Sequence, residues 1–588
     1  MVQKIFTSPS HKITIYQLLV RLFGNKNNSN LAYGTLEQNG VGKFADIDNK
    51  ALKSIKELGI THIWFTGVLE HSTLSGYPAS GITADDPHIV KGRAGSPYAI
   101  RDYFDVSADL AKNPAKRMAE FNALLKRTHQ LGMKAIIDFV PNHVARSYHS
   151  DCMPKHLKDF GEGDDTSVLF HPDNNFLYLQ GEAFQAPADY VPLDGRSLPE
   201  NYLHFTEFPA RVTGNDVYSA HPSSNDWFET IKLNFGVDPN PPHQTHFDPI
   251  PRTWQKLLEI LLYWCEKKVD GFRCDMAEMV PAEFWEWVIP CVKTKYPDVI
   301  FIGEIYKPEL YERYLDRGYF DYLYDKVGLY DTLASLLRGT GNADDLTNCV
   351  RNVEEYSERM LSFLENHDEE RMAWKGFAGN ALLAIPAMTV AATISKGPVM
   401  IYNGQEVGET GDGNLGFAGE RGRTTIFDYA GMPELQQWMN GGKFNGAKLS
   451  KEQIQVRSFY SNLLNICLKI DAIQYGSIYD LQYINRYGQS EGFDERFVFA
   501  FIRHTAISRV LIVANFSKTD NFHAWIKIPQ DAWNHMGISI QQDYTFTDLL
   551  DSGYVKKYNG TSLSAMKLKK SGLEINLQAA SAYILQFA

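Results

Sequence analysis

Apolar residues along this chain come in short runs, each followed by a segment in which apolar positions recur every three or four residues. The runs are ITIYQLL (13–19), THIWFTG (61–67), KAIIDFV (134–140), DGFRCD (270–275), VIFIGEI (299–305), YFDYLYD (319–325), MLSFLEN (360–366) and GPVMIYN (397–403). Between them, AEFNALLKRTHQLG (119–132) and TWQKLLEILLYWCEKK (253–268) carry the spacing of amphipathic helices. Strand and helix in alternation predict parallel strands joined by crossovers, and eight such units fit a closed (β/α)8 TIM barrel. An open doubly wound sheet satisfies the same periodicity, so the placement of polar residues has to separate the two. Asp138, Asp275, Glu304, Asp368 and Glu406 each fall at or just past the end of a run. A ring of strand ends lets such residues converge.

The alternation fails in two places. From Ala145 to Thr230 the chain mixes Gly, Pro, Asn and Asp with aromatics, too long a stretch for a structureless loop inside a compact domain. It is read as a small domain, 145–230, inserted after the third strand of a barrel built from 12–144 and 231–470. Its aromatics Phe176, Tyr178, Tyr190, Tyr202, Phe205 and Trp227 read mainly as that domain's core, with packing against a sugar ring the alternative for some of them. Beyond residue 475, RFVFAFIRH (496–504), RVLIVANFS (509–517), HAWIKIP (523–529) and SAYILQF (581–587) alternate without long helices between them. They predict a C-terminal antiparallel β-sandwich over 475–588.

Composition narrows the function classes. The 588 residues are 44% hydrophobic and 22% charged, enough for a large core, and the net charge of −12 with no basic run argues against a nucleic-acid partner. No 18-residue apolar run marks a membrane span, and the N-terminus MVQKIFTSPSHKITIYQLL lacks a leader's apolar stretch and cleavage site. Six cysteines, at 152, 265, 274, 291, 349 and 467, have neither zinc spacing nor disulfide density. A soluble cytoplasmic protein with reduced thiols is the expectation.

Three acids at strand ends, Asp275, Glu304 and Asp368, suit glycosidic cleavage with retention, which needs a carboxylate nucleophile and a protonated carboxyl ~5–5.5 Å apart. Arg273, two residues before Asp275, points to the same side of a strand and is expected to hold that carboxylate ionised. Glu304, flanked by FIG and IY, is expected to lie in an apolar setting that favours its acid form. Taken singly, an Asp after a strand is usually a cap or turn former, and an Arg-x-Asp pair an ordinary ion pair.

In order, however, DFVPNH (138–143), GFRCD (271–275), GEIY (303–306) and FLENHD (363–368) resemble the four signature segments of glycoside hydrolase family 13, the α-amylase family. SPYAIRDY (96–103) and GPVMIYNGQE (397–406) are similar to family sequence too, and the resemblance runs from about residue 12 to 430. It implies that Asp275 is the nucleophile, Glu304 the acid/base and Asp368 the third acid, which binds sugar hydroxyls. It further implies that Tyr98 stacks under the sugar while His143, Arg273 and His367 surround it. The implied activity is retaining hydrolysis of α-glucosidic bonds in oligosaccharide or polysaccharide α-glucans, without a cofactor. An α-glucan transglycosylase or glucoside isomerase using the same intermediate is the alternative, and a non-catalytic partner subunit is a remoter one because all three acids are present.

Two departures qualify the resemblance. Many relatives carry Lys and His at the third and fourth positions after the nucleophile, where this chain has Glu278 and Met279, so an altered acceptor side is expected. The family's usual calcium site joins Asn142 to an Asp whose place is taken by Lys232 in TIKLNFG (230–236). An ammonium cannot ligate a hard cation, so no metal is expected there.

Overall fold

The structure, a computed structural model, describes residues 11–413, 416–550 and 562–588. Residues 1–10, on which part of the N-terminal reading falls, lie outside the described residues. Eight parallel strands close a barrel: β1 (Thr14–Leu19), β2 (His62–Thr66), β3 (Lys134–Phe139), β4 (Gly271–Cys274), β5 (Ile300–Gly303), β6 (Tyr322–Tyr324), β7 (Met360–Phe363) and β8 (Val399–Tyr402). Their order around the barrel is sequential, with β8 pairing back onto β1. Each of the eight apolar runs became one strand. The reason is burial on both faces, as in the fully buried β1, β2 and β4, which lets a strand read as a continuous apolar run.

The two helices expected from periodicity form as α1 (Arg117–Gln130) and α2 (Arg252–Glu266). In α2, Trp254, Leu257, Ile260, Leu261 and Trp264 are buried, one stripe at three- and four-residue spacing. Each such side chain contributes ~1.5–3 kcal/mol on burial. A third helix, α3 (Ile385–Thr393), is apolar all round and buried along nearly its whole length. It runs between β7 and the C-terminal sheet, so no face of it meets water.

The C-terminal part holds a six-stranded antiparallel sheet, in which β9 (Ser477–Asp480), β10 (Val498–His504) and β11 (Arg509–Asn515) lie beside Ser581–Phe587, Asp543–Asp548 and Ser562–Ser564. A separate pair, Phe522–Ile526 with Leu573–Leu577, faces it. Period-two alternation shows how the sheet is used. Phe499 and Phe501 of β10 join the barrel's core, while Val498, Ala500 and Ile502 join the C-terminal core. Ser477–Asp480, Asp543–Asp548 and Leu573–Leu577 were not among the expected strands. Their outer positions are exposed or polar, as in Asp543 and Thr545, which dilutes the apolar signal.

Residues 145–230 have little regular structure beyond the pair Tyr178–Leu179 and Ala210–Arg211. The antiparallel pair His143–Ala145 and Thr230–Lys232 closes the base of this excursion. Polar anchors stand in for a sheet: fully buried Arg146 reaches Glu207 at 2.6 Å and the Phe228 carbonyl at 2.7 Å, with its guanidinium over the Phe184 ring.

Candidate active site

The site is assembled around one arginine. Arg273 is the third residue of β4, and barrel register sets it beside Asp138 of β3 and Ile302 of β5. Asp275 and Glu304 each stand just past a strand, yet their backbone N–H groups still donate across the barrel, to Phe139 and Cys274 respectively. Both acids are therefore carried on rigid backbone. Arg273 Nη1 donates to Asp275 Oδ1 at 2.6 Å, and Nη2 lies 2.7 Å from Glu304 Oε2. Asp138 Oδ1 stands 3.8 Å from Nη1, Tyr324 accepts from Nε at 3.2 Å, and the guanidinium packs over the Trp64, Tyr98 and Tyr324 rings. One buried cation thus serves three carboxyl groups.

The carboxyl groups respond to that imbalance. Burial pushes Asp275 up to about 8; Arg273 opposes the rise and the neighbouring Glu304 charge adds to it. The expectation that Arg273 keeps Asp275 ionised is corrected: in the unliganded site desolvation outweighs the guanidinium. Asp138 is likewise raised by burial, to about 6, against the pull of Arg273 and of the Gly67 N–H, which donates to it at 3.0 Å. Burial opposes the charge on Arg273 itself, and the surrounding carboxylates outweigh it.

Glu304 is not in an apolar setting. Oε2 accepts from the Met276 N–H at 2.8 Å, and Oε1 accepts from the Tyr306 hydroxyl at 2.5 Å. Met276 holds the left-handed conformation (φ 44°), which a side chain adopts at some cost and which turns its N–H onto Glu304. Neighbours in sequence gave the apolar reading; neighbours across the barrel overturn it.

His367, past β7, bonds Gln17 through Nδ1 and Tyr98 through Nε2, and its ring stacks on Tyr98 at 5.2 Å. Burial takes His367 and His143 down to about 3, so both are neutral imidazoles at neutral pH. Asp368 lies 3.0 Å from His367 and is raised, chiefly by the protein packed round it, while its side chain stays 42% exposed because it opens into the pocket. That pocket, of about 240 Å³, is lined by Tyr98, His143, Asp275, Glu304, His367 and Asp368. The structure therefore brings six of the seven expected site residues to one cavity, with Arg273 beneath it.

Several lining residues were not expected. Lys91, Ser96, Trp227, Glu229, Tyr306 and Phe427 also border the cavity. Trp227 is the one of the insert's six singled-out aromatics that reaches the cavity, where it leans on His143 at 5.2 Å. Lys91 is paired with Glu229 at 2.9 Å. Glu406, expected to converge with the other strand-end acids, is turned away: it accepts from Tyr16 at 2.9 Å and pairs with Arg457 at 3.1 Å, outside the pocket. Glu278 does not line the pocket either; its carboxylate accepts from the N–H groups of Tyr306 and Lys307, at 2.9 and 3.2 Å. Cys274 is fully buried in the core.

At the position of the calcium site, Lys232 Nζ binds Asp216 at 3.0 Å, and Asn142 donates to the Gly214 carbonyl at 2.8 Å. Asn142 Oδ1 is buried without a partner among the described residues, and Asp216 and the Gly214 carbonyl bring oxygens, but the Lys232 ammonium sits among them, cannot ligate a hard cation and repels one, so the residues present do not fit calcium. Among the described residues no cluster of three His, Cys, Asp or Glu side chains could hold a metal, and no helix is long and apolar enough to cross a membrane.

A closed parallel barrel with acids gathered at its strand ends defines the class. The family description "Alpha amylase, catalytic domain" matches residues 17–166 and 249–452, and the chain belongs to the α-amylase family. The α-1,4-glucan:maltose-1-phosphate maltosyltransferase of Cereibacter sphaeroides is 30% identical over 197 residues, 32% of this chain and 31% of that protein, so the chain spans under a third of that relative's length. Alpha-amylase 3 of Dictyoglomus thermophilum is 21% identical, with 88% of this chain and 87% of that protein covered. The crystal structure of the maltogenic α-amylase AmyB from Thermotoga neapolitana shares the fold, with a TM-score of 0.59, 18% identity and 98% of each chain covered.

Proposed function

We propose that the protein is a retaining glycoside hydrolase of α-glucans, with Asp275 as nucleophile, Glu304 as acid/base and Asp368 as the acid that grips sugar hydroxyls. The observation that carries this is the bridge of Asp275 and Glu304 on one buried guanidinium, facing a sugar-sized pocket. Two carboxyl groups on one arginine suit the ~5–5.5 Å spacing of a retaining pair better than the ~6.5–9.5 Å of an inverting one. In the first step Glu304 gives its proton to the glycosidic oxygen, the C–O bond breaks, and Asp275 bonds the anomeric carbon. In the second, Glu304 takes a proton from water as its oxygen displaces Asp275. Tyr98, stacked on neutral His367, offers a flat face to the sugar, and Trp227 with His143 borders the other side.

The same intermediate captured by a sugar would make the protein an α-glucan transglycosylase, a reading favoured by its likeness to a maltosyltransferase. Chromatography of products from maltoheptaose decides: shorter chains only support hydrolysis, longer ones support transfer, and no product defeats both. We take 12–144 with 231–470 as the catalytic domain, 145–230 as the insert and 475–588 as the C-terminal domain; limited proteolysis releasing a fragment that begins well inside the barrel would contradict those limits. A cytoplasmic location is supported by six unpaired cysteines, and recovery in a secreted fraction would overturn it.

A further inference from the structure

Glu278 and Tyr306 form a chain of contacts that ends on Glu304. Glu278 Oε2 receives the backbone N–H of Tyr306 at 2.9 Å and of Lys307 at 3.2 Å, which fixes the turn leaving β5. That turn sets the Tyr306 side chain at the wall of the pocket, and its hydroxyl donates to Glu304 Oε1. The other oxygen, Oε2, is already taken by the Met276 N–H and Arg273 Nη2. Oε1 is therefore the oxygen whose environment one side chain controls. Glu278 stands where many relatives carry a lysine in contact with sugar; here the position braces the acid/base from behind instead.

We infer that Tyr306 is a positioning residue for the acid/base, held in place by Glu278, and that its hydroxyl stabilises the carboxylate Glu304 becomes on giving up its proton. This rests on Glu304 being the acid/base. As the glycosidic oxygen takes the Glu304 proton, negative charge grows on the carboxyl group, and the phenol keeps its own proton while its O–H bond to Oε1 strengthens. The effect scales with how far that proton must move. It is large for a sugar leaving group, which needs full protonation, and small for an acidic phenol, which leaves with little help.

The test compares wild type with Tyr306→Phe, Glu278→Ala and Glu278→Gln on maltoheptaose and on an aryl α-glucoside with an acidic phenol, each across pH. Tyr306→Phe is expected to lower kcat on maltoheptaose roughly tenfold, the scale of one hydrogen bond to a charged group, with a loss of less than about twofold on the aryl glucoside. Its alkaline limb of kcat/KM moves to higher pH, because the ionised carboxyl has lost a donor. Glu278→Ala shifts the same readouts in the same direction by less, and Glu278→Gln, which keeps an acceptor oxygen, restores them. Equal losses on both substrates with an unmoved limb overturn the positioning role and leave the catalytic assignment standing. A wild type that turns over neither substrate overturns the assignment, and this inference with it.

Discussion

Two buried arginines in this barrel meet carboxylates in opposite ways. Arg371 is fully buried and faces Glu365, whose two oxygens are both occupied: one by Arg371 Nη1 at 2.8 Å, the other by the Met372 N–H at 2.8 Å. Thr424 takes Arg371 Nε at 2.7 Å, and the group is closed to solvent. Arg273 is equally buried but serves Asp138, Asp275 and Glu304 together, beneath an open pocket. The first cluster pairs one cation with one saturated anion and ties the 416–428 loop to β7's far end through Gly422 and Thr424. The second holds more acid than its cation can neutralise. Balance marks a structural pair; surplus negative charge beside a cavity marks groups available for proton transfer and nucleophilic attack.

That contrast can be broken by substitution. Asp275→Asn is expected to lower kcat on maltoheptaose by ~10⁴-fold or more while leaving the thermal midpoint nearly unchanged; retained turnover would remove the distinction at its strongest point. Glu304→Gln should cost ~10²–10⁴-fold with a sugar leaving group, and much less with an acidic phenol. Equal losses on the two substrates would deny it the acid role. Glu365→Gln should do the reverse of Asp275→Asn. Breaking a buried pair destabilises by ~3–5 kcal/mol in denaturant titration, whereas kcat of the folded enzyme changes by less than ~10-fold, the scale of an indirect effect. A Glu365 variant as dead as Asp275→Asn would show that the two clusters are one machine.

Finer tests sharpen the same difference. Asp275 must be ionised to attack the anomeric carbon, and burial has pushed it up to about 8. Below that pH the nucleophile is increasingly protonated, so kcat/KM should rise as pH climbs toward about 8. A rate that does not rise with pH below about 8 would contradict that effect of burial on Asp275. The smallest effect concerns metal: because Lys232 and Asp216 occupy the calcium position, a chelator should leave both the thermal midpoint and kcat unchanged. Loss of either, restored by calcium, would show that the ammonium is no substitute.

Much of this was legible in the chain because barrel strands announce themselves. Burial on both faces gives unbroken apolar runs, and an acid one residue past such a run has few places to go but the barrel mouth. Asp275 and Glu304 were readable for that reason. Lys91, Trp227 and Tyr306 were not, since loops deliver them and loops carry no period; Trp227 in particular looks like any other aromatic of the insert. Glu406 misled for the complementary reason: it follows β8 as Glu304 follows β5, but Arg457 and Tyr16 wait on the far side and turn it inward. The surroundings of Glu304 show the limit most clearly. Its sequence neighbours are apolar, while its spatial neighbours, Arg273, Met276 N–H and Tyr306, come from other segments or from a turn that sequence does not orient.

The most direct measurement is to trap the intermediate. Incubating the enzyme with an activated fluoroglucosyl fluoride, which glycosylates faster than it is released, should add one sugar mass to the peptide carrying Asp275 and to no other, and Asp275→Asn should abolish the adduct. Turnover without any adduct, with inverted anomeric configuration in the product, or an adduct on a different carboxylate, would contradict the account.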